Sequence, residues 1–377
     1  MKILITGSNG FIGKNLQLHL AERKDVEVVS FTRKHDVAEL AQLLLRVDFV
    51  FHLAGVNRPR DPREFTTGNA ELTQALCGAV CNVAAASGKK VPIIYTSSTQ
   101  AGCDNPYGQS KLAAEQALHA ATLSHGIQVH IFRLPNVFGK WCKPNYNSAV
   151  ATFCYNIARG LPIQVNDPAA PLTLAYVDDV VECFVGLMDG VDSRASLAKS
   201  EAADVSPQYT TTLGEVARQI QAFKDSRDTL MTERVGTGLV RALYSTYVSY
   251  LPVEVFAYAV PQHADVRGVF VEMLKTPDCG QFSYFTAHPG ITRGGHYHHS
   301  KTEKFLVIKG QARFQFRHVQ TGQTHELLTT GGKPEVVETV PGWTHDITNI
   351  GTDEMVVMIW ANEVFDRARP DTFACAV

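Results

Sequence analysis

Apolar positions in the first 135 or so residues gather into five short runs separated by helix-length stretches. Residues 2–6, 26–31, 47–55, 91–96 and 127–134 are rich in Val, Ile, Leu and Phe. Continuous apolarity over so short a span predicts strands buried on both faces. The intervening stretches, 14–22, 37–46, 67–87 and 107–124, read as helices. Strand–helix alternation predicts a doubly wound parallel sheet, with ligands at the C-terminal strand ends. Thr212-Leu213-Gly214-Glu215 forms a capping box that opens a helix to about residue 222. From 241 to 252 the chain is rich in tyrosine and serine and the helical pattern fades. Beyond it, β-rich segments at 269–274, 281–287, 304–308, 312–318, 335–340 and 355–360 alternate with Gly, Pro, Asn and Asp turns. Regular short strands predict an antiparallel sandwich or jelly roll. The expected organisation is an α/β domain with a small substrate lobe over residues 1–245, then an all-β domain over 246–377, the change falling near residue 250.

Composition narrows the function classes. The net charge of -2 gives no bulk attraction to nucleic acid or to a membrane surface. No apolar run is long enough to span a bilayer, and no signal peptide precedes the first strand. The eight cysteines are scattered without a C-x-x-C pair, so reduced thiols in a cytoplasmic protein are expected.

Chemistry-bearing residues fall at the expected strand ends. Gly7-Ser8-Asn9-Gly10-Phe11-Ile12-Gly13 lies between the first strand and its helix. Gly7, Gly10 and Gly13 suit a tight turn, close approach of a pyrophosphate and close helix–strand packing. Asn9, Phe11 and Ile12 complete the turn over the cofactor. The second strand ends in Thr32-Arg33-Lys34 where NAD-specific enzymes carry an acid, so Arg33 and Lys34 point to the 2′-phosphate of NADP(H), although Asp36 lies close by. Leu53-Ala54-Gly55 lets the backbone approach the cofactor, and His52 reads as a packed strand residue. Ser97 and Ser98 end the fourth strand. Tyr107 and Lys111 share a face of the next helix, where a cation beside the phenol is expected to lower its pKa. Such a site can exchange a proton with a carbonyl while hydride moves.

In this order, with Arg133-Leu134-Pro135-Asn136-Val137-Phe138-Gly139 following, these segments resemble the extended short-chain dehydrogenases/reductases that act on nucleotide sugars. The resemblance implies that Ser98, Tyr107 and Lys111 are catalytic, with Ser97 and Thr99 as weaker alternatives to Ser98. The gap from Ser98 to Tyr107 is shorter than in most members, so substrate contacts must come from elsewhere. Asn136 stands where the family holds the sugar. The polar, basic and aromatic stretch from Lys140 to Ser148, with Lys143, Asn145 and Asn147, suits a UDP-sugar.

The all-β part has its own cluster. Strand alternation puts His296 and His298 on one face, Glu303 enters the next strand, and His345 follows later. Three imidazoles and a carboxylate can close round a divalent metal such as Zn²⁺. The arrangement resembles the two cupin motifs. His299 is a fallback ligand, and the second motif has Pro341-Gly342 where Pro-x-Gly is usual. Asp265-Val266-Arg267-Gly268-Val269-Phe270 resembles a segment of deoxysugar 3,5-epimerases whose arginine contacts substrate, here Arg267.

A reductase joined to an epimerase-like cupin is a narrow combination. Over nearly its full length the chain resembles the bifunctional capsular-polysaccharide enzymes of UDP-N-acetyl-L-fucosamine synthesis. That resemblance implies a UDP-2-acetamido-2,6-dideoxy-4-keto-hexose substrate, epimerisation at carbon 3 in the cupin, reduction at carbon 4 with NADPH, and a homodimer. Tyr297, His299 and Lys301 remain candidates for the cupin's general base. Two other readings stay open: a reductase whose cupin serves only for dimerisation or sugar binding, and a non-catalytic nucleotide-sugar sensor.

Overall fold

A computed structural model describes residues 1–190, 202–265, 268–271, 273–274, 276, 280–363 and 368–377. Arg267 and Cys279 lie outside the described residues. The chain divides into two compact units, residues 1–137 with 173–210, and residues 138–172 with 211–377. Among the described residues no helix is long and apolar enough to cross a membrane.

The first unit begins with β1 (Lys2–Thr6), α1 (Phe11–Ala21), β2 (Glu27–Phe31), α2 (Leu40–Arg46) and β3 (Phe49–His52). A single helical turn, α3 (Arg63–Phe65), runs through a π-helical stretch (Thr66–Glu71) into α4 (Leu72–Ser87). Then come β4 (Ile93–Ser98), α5 (Pro106–His125) and β5 (Val129–Leu134). The strands pair in parallel in the order β2-β1-β3-β4-β5. Alternate strand residues feed two separate cores. Leu4, Val50, Tyr95 and Ile131 pack with Leu40, Leu44, Leu76, Val80 and Leu118. Ile3, Ile5, Phe49, Phe51 and Ile94 pack with Leu16, Leu20 and with Val180, Val181 and Phe184 of the helix Val177–Met188. Both faces of the sheet are therefore dry, which is why its strands read as unbroken apolar runs. Strand order reverses on either side of β1, and the crevice beyond Thr6 and His52 is the topological switch point of such sheets.

The second unit combines helices with an all-β double sheet. The capping box at Thr212 and Glu215 forms as expected, Thr212 Oγ accepting from Glu215 N at 3.2 Å and Thr212 N donating to Glu215 Oε2 at 3.0 Å. Its helix continues past the expected end to Thr229. The stretch read as non-helical is in fact the helix Gly238–Ser249. Residues 242–248 are all buried, so no polar face marks the helical period.

Two five-stranded antiparallel sheets follow. One has the order Gln281–Ala287, Met355–Ala361, Glu303–Lys309, Glu335–Glu338, Ala257–Ala259. The other has the order Thr324–Thr330, Gln311–His318, Trp343–Asn349, Thr292–Tyr297, Phe373–Ala374. Ala312, Phe314 and Phe316 alternate inward along one strand. Phe305 of the facing sheet meets Phe314 with ring centroids 5.7 Å apart, so the core lies between the sheets.

Candidate functional sites

The glycine turn after β1 is closed by steric necessity. Gly7 has φ +72°, and a Cβ there would lie 2.6 Å from Ala54 N. A Cβ at Gly13 would lie 2.4 Å from Gly7 O, so α1 can approach β1 this closely only through glycine. Gly10 N-caps α1 without a side-chain cap, which leaves the first-turn amides, those of Phe11, Ile12 and Gly13, free of a side-chain acceptor and suited to an anion. Asn9 and Gly10 are exposed, and Leu53 and Ala54 are half-buried against the turn.

Arg33 and Lys34 are exposed in the turn directly after β2, closed by His35 N to Thr32 O at 3.0 Å. Asp36 is engaged in a local cap. Its carboxylate caps the 3₁₀ turn Val37–Glu39, accepting from Ala38 N at 2.9 Å, while Glu39 accepts from Asp36 N at 2.7 Å. His52 is fully buried between Thr6 Oγ (2.7 Å) and Thr73 Oγ (2.8 Å), and burial pushes its pKa down to about 3.

At the end of β4 the strand and α5 bring Ser98, Tyr107 and Lys111 together. Asn105 caps α5 by accepting from Gly108 N at 2.8 Å, and Pro106 occupies its first turn. A Cβ at Gly108 would lie 2.3 Å from Gln100 O, so glycine seats the helix on the short turn Thr99–Gly102 that follows Ser98. Ser98 is the side chain that acts on the Tyr107 phenol, favouring its ionisation, while Lys111 Nζ donates to Thr96 O at 2.8 Å. Burial raises the Tyr107 pKa, and the Ser98 side chain offsets only part of that. The expectation that Lys111 lowers it is thus corrected: burial of the phenol dominates. Burial also lowers Lys111, to about 8, against the opposing pull of Glu115. The alternatives to Ser98 are engaged elsewhere or turned away, since Ser97 Oγ donates to Glu115 and Thr99 is exposed.

Asn136 is exposed in the first unit, with Nδ2 3.5 Å from Thr173 O. Lys143, Asn145 and Asn147 are exposed in the second. Lys143 Nζ lies 5.1 Å from the centre of the Tyr146 ring, and Asn145 takes φ +52° while its N–H donates to Thr152 Oγ at 3.0 Å. The same loop is pinned by Trp141, at φ +67°, whose indole donates to His318 Nε2 at 3.1 Å. Gly342, φ +81°, lies directly under that indole, and a Cβ there would come within 2.8 Å of Trp141 Cζ2. This contact and the positive φ are why position 342 holds glycine.

His296, His298, Glu303 and His345 converge. Each offers a ligand atom, and the four atoms lie within 4.8 Å of one another. A bulge at Gly294–Gly295, both at positive φ, sets His296 opposite His345 on the paired strand. His298 Nε2 lies 3.2 Å and His345 Nε2 3.6 Å from Glu303 Oε2. Burial opposes ionisation of Glu303, yet the His298 and His345 imidazoles outweigh it and hold the carboxyl well below its usual range. Burial and the neighbouring rings lower His296 to about 4, so it is neutral at pH 7 and its lone pair is available. Neither ring nitrogen of His345 makes a hydrogen bond, although both are buried. Buried donors left without partners, beside an ionised carboxylate, fit a divalent cation held at about 2.0–2.2 Å from N and O ligands after small side-chain adjustments. His299 is not part of this cluster; its ring packs on Phe373 (4.9 Å) and Tyr297 (5.6 Å).

Two residues of these sites had escaped sequence reasoning. Glu115 lies one helical turn beyond Lys111, a spacing that could have flagged it. Asp371, whose carboxylate accepts from His299 N, Ser300 N and Lys301 N, gave no signal, because these amides lie far away in the chain.

A family profile described as the NAD dependent epimerase/dehydratase family matches residues 3–197, and one described as the polysaccharide biosynthesis C-terminal domain matches residues 263–373. The chain is 61% identical over 377 residues to a Pseudomonas aeruginosa protein named UDP-2-acetamido-2,6-beta-L-arabino-hexul-4-ose reductase, covering 100% of this chain and 99% of that one. A UDP-glucuronic acid decarboxylase 3 of Arabidopsis thaliana is 29% identical over 233 residues, 51% of this chain and 68% of its own. Among solved structures, the capsular polysaccharide assembling protein CapF from Staphylococcus aureus aligns over 100% of both chains with TM-score 0.66 and 43% identity.

Proposed function

The chain belongs to the NAD dependent epimerase/dehydratase family and, over its full length, to the family of the Pseudomonas UDP-2-acetamido-2,6-beta-L-arabino-hexul-4-ose reductase, and from that premise we propose that it carries out two consecutive steps on a UDP-2-acetamido-2,6-dideoxy-4-keto-hexose. The observation that supports this reading best is that one chain carries both a Ser98–Tyr107–Lys111 constellation beside a glycine turn and a separate His–Glu cluster.

The first step is epimerisation at carbon 3. The neighbouring ketone acidifies that carbon's proton, and its removal and return on the opposite face invert the centre. His296, His298, Glu303 and His345 would hold a divalent ion, Zn²⁺ for choice, which when bound supplies Lewis acidity at the ketone oxygen. Of the candidate bases, Lys301 is the one whose terminal atom faces the cluster, Nζ lying 3.4 Å from Glu303 Oε1, while Tyr297 stacks on Phe373.

The second step is reduction at carbon 4. NADPH, when bound, supplies the hydride. Tyr107 gives its proton to the developing alkoxide, Ser98 orients that oxygen, and the Lys111 ammonium stabilises the phenolate left behind. Arg33 and Lys34 hold the 2′-phosphate. Ketone, hydride and proton together give the alcohol, a UDP-L-talose-type sugar, and NADP⁺. Lys143, Asn145, Asn147, Asn136 and Arg267 are the substrate-binding candidates. Residues 1–245 act as reductase and 246–377 as cupin, in a cytoplasmic homodimer that serves polysaccharide synthesis.

One reaction in heavy water tests the whole scheme, with NADPH, the UDP-4-keto sugar and NMR analysis of the product. Deuterium at carbon 3 with a reduced carbon 4 is expected. Reduction without deuterium would leave the cupin as a binding or assembly module. Absence of both would overturn the substrate assignment.

A further inference from the structure

The segment 368–377 is laced to the strand and turn that carry the histidines. Ala374 pairs with His296, Cys375 N donates to Gly295 O at 2.9 Å, and Thr344 Oγ donates to Cys375 O at 2.5 Å. Phe373 stacks on Tyr297 with centroids 5.6 Å apart, and Lys301 Nζ donates to Thr372 Oγ at 3.0 Å. At the head of these contacts stands Asp371, at φ +40°. That is left-handed backbone, which a residue with a Cβ adopts only when its surroundings enforce it.

Both polar ends of Asp371 are used. Its carboxylate accepts from three successive backbone amides, His299 N at 2.9 Å, Ser300 N at 2.9 Å and Lys301 N at 2.6 Å, and from Ser300 Oγ at 3.1 Å. Consecutive N–H groups turned towards one anion form a nest, and here the anion is the chain's own. The carbonyl of Asp371 lies 2.5 Å from His298 Nδ1. A carbonyl can only accept, so Nδ1 carries a hydrogen, and Nε2, 3.2 Å from Glu303 Oε2, is the nitrogen that faces the cluster.

We propose that Asp371 is a positioning residue for the His–Glu cluster: its carboxylate shapes the 298–301 turn and its carbonyl fixes His298 as an Nε2 ligand. The segment 368–377 is thereby a working part of the cation site. This inference rests on the reading that the four residues hold a divalent cation, and it names the residue that prepares them before the cation arrives.

The test uses the full chain, stripped with chelator and titrated with Zn²⁺ against a chromophoric competitor. NADPH binding, read by fluorescence, reports in the same samples that the first unit is folded. Asp371→Asn is expected to weaken Zn²⁺ about 10- to 100-fold, the range seen when groups that orient metal ligands are lost. Asp371→Gly tolerates the positive φ but lacks the carboxylate, and the same weakening is expected; unchanged affinity in both variants would overturn the proposal. The metal-free wild type gives an independent readout. ¹⁵N-labelled histidine should show His298 with its hydrogen on Nδ1, and an Nε2–H tautomer would overturn the proposal even if neither variant folded. A wild type that binds no Zn²⁺ would remove the cation reading and this inference with it, whereas wild-type binding with indifferent variants removes only the inference.

Discussion

The carboxylate of Glu115 accepts the hydroxyl of Ser97, one residue beyond the strand carbonyl that receives the Lys111 ammonium. Tyr107, Lys111 and Glu115 repeat at the helical spacing that puts them on one face of α5. That face therefore grips β4 at two adjacent residues. Arg133 completes the anchor, with Nε 3.0 Å from Glu115 Oε1 and Nη2 2.7 Å from Oε2. With Ser97 and Glu115 tied together, Ser98 is the strand-end hydroxyl left for Tyr107.

Replacing Glu115 should move the pH profile of reduction. Lys111 carries its charge below its pKa of about 8 and loses it as pH rises through that value. The Glu115 charge supports the ammonium, so Glu115→Gln lowers the Lys111 pKa further. The alkaline limb of kcat/KM for NADPH oxidation is expected to shift to lower pH. A limb that stays in place would separate Glu115 from Lys111.

Tyr107→Phe removes the proton donor while keeping the ring that packs 5.7 Å from Phe65. Reduction should fall about 10²- to 10⁴-fold, the usual contribution of a positioned acid. NADPH affinity and deuterium exchange at carbon 3 should persist. Loss of exchange in parallel with reduction would argue against two separate sites.

Arg33→Ala combined with Lys34→Ala should lower kcat/KM with NADPH by about 10- to 100-fold, as expected for one or two charge-assisted hydrogen bonds to a phosphate. Activity with NADH should change little, because Asp36 is held in its cap and faces no new competitor. Equal losses with both coenzymes would place the two cations away from the 2′-phosphate.

Gly342→Ala meets two penalties, a positive φ and an indole 2.8 Å from the new Cβ. A destabilisation of about 1–3 kcal/mol is expected, seen as a lower urea midpoint for the second unit. Trp141→Ala, which clears the space, should relieve part of that cost in the double variant. Strict additivity of the two changes would mean that the contact carries no coupling.

What could be read from the sequence follows from how each feature is made. The parallel sheet was legible because Ile3 to Ile5 and Phe49 to Phe51 bury both faces of their strands, and because Gly7 and Gly13 mark close approaches no other residue allows. The His–Glu cluster was legible because a strand period of two places His296 and His298 together. The helix Gly238–Ser249 was not, since burial on nearly every side erases the amphipathic stripe. The protonation of Tyr107 was not, since spacing to Lys111 says nothing about how deeply the phenol is buried. Asp371 escaped because an aspartate serving backbone amides some seventy residues away leaves no periodic or local trace.

The lacing of Asp371 to the 298–301 turn also orders events during synthesis. The ribosome makes His296, His298, Glu303 and His345 before Asp371, so the turn spends part of translation with its three amides unanswered. A chain truncated just short of Asp371 keeps every ligand residue but leaves those three amides without their acceptor.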